Sequence, residues 1–223
     1  MRDRAKASDR AAGDEGAAGV APGGKALLRG PIVGTLIVWG ALSALAAANG
    51  LYRSVNGAPP YGLVAAAILP PLAFCAAYGR SAGLRRWTNE IDLGLVTALQ
   101  GWRVVGATFV FVWGFGMLPP VFAAPAGFGD IAVGVAAPFV ALAVWRRSPG
   151  WKRASYALIV AGLFDFVAAF VTGALAREGG ALHQPGAVHT GLMAELPLTL
   201  IPGYAVPIFA ILHLIAFFKL RRM

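Results

Sequence analysis

The chain has 223 residues, of which 58% are hydrophobic and 13% charged, with a mean hydropathy of +0.68, a balance that excludes an ordinary water-soluble domain. Three His, one Cys and ten Asp or Glu residues leave little for a metal site or an extended acid–base machine, and Cys75 alone cannot close a disulfide within the chain. The formal net charge of +9 does not point to nucleic acid, because the Lys and Arg residues sit between apolar runs instead of forming a stripe on a soluble fold.

In chain order, residues 1–30 are rich in Ala, Gly and charges of both signs; they cannot bury apolar surface and are expected to form a disordered cytoplasmic tail. The remainder, 31–223, reads as an all-α transmembrane domain of about six helices, since about 20 apolar residues cross a hydrocarbon core. The six predicted spans are 31–51, 60–79, 91–118, 127–145, 154–176 and 196–220. None alternates polar and apolar residues, so a membrane β-barrel is excluded, and helices are the remaining way to satisfy backbone groups in lipid. The run Leu45-Ala46-Ala47-Ala48 offers a weak A-x-A signal-peptidase pattern, but a first span long enough to cross the bilayer argues against cleavage.

Orientation follows from the 19 Lys and Arg residues. Sixteen fall on one side: six in the N-terminal tail, Arg80, Arg85 and Arg86 in the second loop, Arg146, Arg147, Lys152 and Arg153 in the fourth, and Lys219, Arg221 and Arg222 at the C-terminus. Arg53 and Arg177 fall on the other side, and Arg103 lies inside a span. The positive-inside rule therefore predicts cytoplasmic N- and C-termini, in the inner membrane of a bacterium.

Charges within a bilayer are costly and usually face a partner, a cavity or a solute path. Arg103 lies about twelve residues into the third span and Asp165 about as far into the fifth; at about 1.5 Å per residue the two reach the same depth near the midplane, which predicts an ion pair. The pair serves either helix packing or a site, for an anion at Arg103 or a proton at Asp165. Thr97, Gln100 and Arg103, spaced by three, form a polar stripe facing the bundle. Asp130 is placed in the first turn of the fourth helix, where it either caps free N–H groups or marks an outward-facing mouth; Gly134 and Pro138 continue its narrow face.

In the sixth span, Pro197, Pro202 and Pro207 recur evenly, and the latter two free the carbonyls of Leu198 and Gly203, so this helix is expected to bend or unwind. Broken helices form substrate sites in transporters, and Thr199 and His213 supply polar groups here, with Tyr204 adding a hydroxyl. His213 reads as a heme ligand, a proton relay or a hydrogen-bonded packing residue. His183 and His189 share the loop 177–195 with Glu178 and Glu195, at a spacing that matches no tight zinc pattern. Phosphate-binding Gly loops, nucleophile elbows and H-E-x-x-H motifs are absent from the sequence.

The run Gln100-Gly101-Trp102-Arg103-Val104-Val105-Gly106, with Leu118-Pro119, Phe122-Ala123 and Pro125-Ala126-Gly127-Phe128-Gly129-Asp130, resembles a group of small bacterial integral membrane proteins without assigned function. The ending Ile201-Pro202, Val206-Pro207 and Leu212-His213-Leu214 is similar to theirs. The resemblance implies a six-helix membrane protein and supplies no activity. The first expectation is a protein that binds or moves a small solute or ion through Arg103, Asp165, Asp130, Gln100, His213 and Thr199, without a cofactor or metal. The alternatives are an intramembrane heme or redox protein using His213, and a structural membrane protein without a site. The expected partners are the lipid bilayer and that solute, with self-association left open.

Overall fold

The structure, a computed structural model, describes residues 30–54 and 58–223; apart from Gly30, the tail expected over residues 1–30 lies outside the described residues. Those residues are all-helical, without strands. Six helices among them are long and apolar enough to cross a membrane, which suggests a multi-pass membrane protein.

The first helix, α1 (Gly30–Ala48), ends at a turn where Gly50 has a left-handed backbone (φ 75°). The second, α2 (Tyr61–Arg80), passes directly into a short helix, α3 (Ala82–Glu90), whose Ser81 hydroxyl caps it by accepting from Leu84 N–H at 3.1 Å. The guanidinium of Arg85 donates to the end carbonyls of α2, Tyr78 (3.1 Å) and Gly79 (2.9 Å), so this basic residue of the predicted second loop closes a helix end.

The third crossing differs from the single helix expected over 91–118. It consists of α4 (Leu93–Leu99), a 3-10 segment (Gln100–Gly106) and α5 (Ala107–Gly114). Asp92 caps α4, accepting from Leu95 N–H at 2.6 Å and from the Trp145 indole at 2.8 Å. The 3-10 winding has a sequence cause: residues three apart eclipse at 3.0 residues per turn, and the buried members of this segment are Gln100, Arg103 and Gly106, while Trp102 is 72% exposed. An α-helix would rotate each member of this stripe about 60° from the last.

The fourth crossing, α6 (Pro120–Arg146), starts seven residues before the predicted 127. Pro119 is extended and Pro120 opens the helix, as its fixed φ and missing N–H allow. The segment 120–127 is therefore helical and does not form an irregular mouth; its small Ala123, Ala126 and Gly127 are buried, with Gly127 against Val110 of α5. Next, α7 spans Trp151–Leu175. The sixth crossing is a π-helical turn (Ile201–Ala205) running into α8 (Val206–Leu220), in agreement with the unwinding expected from its prolines. Both freed carbonyls find donors: Ile201 N–H for Leu198 (3.0 Å) and the Ser43 hydroxyl for Gly203 (3.4 Å).

At the centre, α6 lies along α7 and along all three pieces of the third crossing, and α8 packs on α2, α4 and α7. The end that carries Arg85, Arg147 and Arg221, here the basic end, is filled by Ile91, Val96, Val144, Ile159, Leu212 and Ile215. A second core, including Phe109, Leu118, Phe122 and Met193, fills the opposite end. Large apolar side chains such as Ile37, Phe111, Phe139 and Phe164 are 66–70% exposed, an arrangement suited to lipid as the surrounding solvent.

Candidate functional site

Between the two cores lies a charged cluster built on Arg103, which is 0% exposed. Its Nε donates to Asp130 Oδ1 at 2.7 Å, Nη2 to Asp165 Oδ2 at 2.5 Å, and Nη1 to the Gly162 carbonyl at 3.1 Å. Nη1 also lies 3.3 Å from His213 Nε2. Arginine only donates, so Nε2 accepts and the imidazole proton sits on Nδ1. The guanidinium carbon stands 4.0 Å from the centre of the Phe166 ring, a cation–π contact that covers one face. A buried guanidinium is tolerable when its N–H groups are met and its charge is balanced, and three helices, α6, α7 and α8, supply the partners here.

Close approach is possible because glycines stand where other side chains would collide. A Cβ on Gly106 would overlap Asp130, one on Gly129 would overlap Asp165, and one on Gly162 would overlap both His213 and Arg103. Gly134 likewise admits the backbone of Arg103–Val104, so the narrow face of Asp130 receives the 3-10 segment.

Four predicted residues, Arg103, Asp165, Asp130 and His213, meet in this cluster. The Asp130 assignment needs correction: with α6 starting at Pro120, Asp130 lies about three turns inside the helix. It pairs with Arg103 and caps no helix end. Gln100 sits one 3-10 turn from Arg103; its Nε2 donates to the Phe209 carbonyl at 3.0 Å, and its Oε1 is buried with no hydrogen-bond partner among the described residues. Thr199 does not join them. It lies in the turn before the sixth crossing, fully buried, with its hydroxyl unpartnered among the described residues.

A cavity of about 480 Å³ reaches the cluster from the end opposite the basic one. Asp130 and Asp165 line it, whereas Arg103 and His213 do not. Each carboxylate gives one oxygen to Arg103; the others, Asp130 Oδ2 and Asp165 Oδ1, have no hydrogen-bond partner among the described residues. The walls are largely apolar, with the rings of Phe109, Phe122, Phe166 and Phe170. In the sequence these rings are four of 13 Phe residues without a distinguishing pattern.

The rim carries Arg53, Arg177, Glu178, His189 and Glu195. Arg53 Nη2 donates to Glu195 Oε2 at 2.6 Å, and this hydrogen bond, reinforced by the Glu195 charge, raises the Arg53 guanidinium above its ordinary range. His189 Nδ1 accepts from Gly191 N–H at 3.0 Å, and the two nitrogens of His183 meet Gly179 N–H (3.3 Å) and the Ala187 carbonyl (3.2 Å). Both imidazoles thus brace the loop that the sequence placed there. Among the described residues no three His, Cys, Asp or Glu side chains group as a metal site.

The family described as a domain of unknown function, DUF8737, matches residues 60–221, which takes in five of the six crossings and every member of the buried cluster. No curated protein and no solved structure matches the chain. The chain belongs to this family of unknown function.

Proposed function

We propose that this multi-pass membrane protein binds a small solute or ion in the cavity that ends on Asp130 and Asp165, with Arg103 holding the two carboxylates in place. The observation that carries the reading is the meeting of a cavity of about 480 Å³ with a buried charged cluster. That volume lies in the range of small-molecule sites, about 300–1,000 Å³, and mostly apolar walls with a few convergent polar groups are their usual composition. Intramembrane charges facing a cavity support the same reading.

In the orientation given by the charge distribution, with both termini in the cytoplasm of a bacterium, the mouth faces outward. The apolar core at the basic end stands between the cluster and the cytoplasm. Binding would then occur from outside, and passage to the cytoplasm would require that core to open. Heme at His213 is the lesser reading: iron would need Nε2, which faces Arg103 Nη1 at 3.3 Å, and a visible absorption spectrum of the purified protein tests it.

The cavity is tested by filling it. Ala169 lines it on α7, and Ala169→Trp is expected to abolish the thermal stabilisation that solutes from a small-molecule screen give the wild-type protein in nanodiscs. Solutes that stabilise the variant as well as the wild type would overturn the assignment of this cavity.

A further inference from the structure

Resting on that cavity as the binding site, we infer that its occupant is an organic cation, a protonated amine with an apolar body, held by the free oxygens of Asp130 and Asp165. Three features point the same way. First, with both carboxylates ionised, two negative charges face one guanidinium, and a net negative charge in a low-dielectric site is costly until a cation or proton compensates it. Second, the polar groups at the cavity floor only accept. Asp130 Oδ2 and Asp165 Oδ1 have no hydrogen-bond partner among the described residues, and their side chains keep 10% and 9% exposure. The one cation at the floor, Arg103, is 0% exposed and does not line the cavity, so an anion reaching the floor would meet two carboxylates and no side-chain donor from Arg103. Third, the rings of Phe109, Phe122, Phe166 and Phe170 line the walls; aromatic faces attract ammonium groups and accommodate the apolar remainder. The rim does not reverse this preference: Arg53 is paired with Glu195, Arg177 donates to the backbone carbonyl of Glu178, and the two arginines there are matched in number by Glu178 and Glu195.

The test uses three probes of one skeleton and different charge: 2-phenylethylammonium, 2-phenylethanol and phenylacetate. Binding to the purified full chain is measured in nanodiscs of zwitterionic lipid, with empty nanodiscs subtracted. The expected result is that the ammonium binds about tenfold or more tightly than the alcohol, as a charge-assisted contact in a desolvated site allows, and that phenylacetate does not bind. In Asp165→Asn the preference for the ammonium should collapse while the alcohol still binds. If that variant does not fold, the wild-type comparison of the three probes decides alone. Equal binding of alcohol and ammonium, or tighter binding of phenylacetate, with either lost in Ala169→Trp, overturns the cation assignment and leaves the cavity as a solute site. Failure of all three probes to bind overturns the cation assignment and removes support from the cavity reading as well.

Discussion

Two ion-paired arginines of this protein have nearly the same geometry and opposite surroundings. Arg53 meets Glu195 at 2.6 Å with 60% and 40% of the two side chains exposed. Arg103 meets Asp165 at 2.5 Å and Asp130 at 2.7 Å with its own side chain 0% exposed. Distance alone therefore says little about what each pair does. Around Arg53, water and salt can take over either partner's role, and exposed pairs of this kind contribute little to stability. Around Arg103 no water or salt can replace a lost partner, because the nearest groups are the Phe166 ring, the Gly162 carbonyl, the His213 imidazole and a second carboxylate.

The comparison breaks most sharply if Arg103 is replaced. Arg103→Gln leaves two carboxylates facing each other in a low-dielectric cavity floor without their cation, and removal of one partner from a buried ionic network costs about 3–5 kcal/mol. A large fall in the unfolding midpoint, or loss of monodisperse protein after extraction, is the expected outcome, measured by thermal unfolding in detergent. A variant as stable as the wild type would mean that the cluster does not hold the bundle together.

A smaller effect is expected from Gly162→Ala, which leaves every charge in place and adds a single methyl group between His213 and Arg103. Forcing extra volume into a packed interior costs about 1–3 kcal/mol. Gly79→Ala is the control: it adds the same methyl to a glycine of α2 with open space around it. The same unfolding assay should therefore separate the two alanines, and equal midpoints for them would show that the close approach at Gly162 is not a constraint on the cluster.

The charges that matter were legible in the sequence because a bilayer makes them conspicuous. Arg103 is the basic residue that no loop accounts for, and counting residues along helices was enough to bring Asp165 to its depth. The stripe Thr97, Gln100, Arg103 is also visible, but a spacing of three fits one side of an α-helix as well, and only the addition of Gly106 shows the 3-10 winding that the spacing favours. The sequence places Asp130 too near a helix start because Pro119, Pro120 and Pro125, with the glycines around them, carry the local signature of a loop. In an apolar setting that signature is overridden: Pro120 starts a helix as readily as it breaks one, and small residues are favoured where helices approach closely. The cavity was not legible at all. Its walls come from residues far apart in the chain, Phe109, Phe122 and Phe166 among them, and no local pattern records that they share a space.

The least effect belongs to Arg53→Ala. The exposed Arg53–Glu195 pair joins the segment after α1 to the turn before the sixth crossing, where Glu195 also accepts Thr199 N–H through its backbone carbonyl at 2.9 Å. That backbone bond survives the substitution, as does the contact between the Ser43 hydroxyl and the Gly203 carbonyl, which ties α1 to the π-helical turn independently. The unfolding midpoint of Arg53→Ala should match that of the wild type within measurement error, at low salt and in about 1 M salt alike, since screening at that strength acts over about 3 Å and already weakens the exposed pair in the wild type. A drop at low salt that disappears at high salt would show instead that the rim pair fastens the first helix to the sixth, and the contrast between the two arginines would then be one of degree.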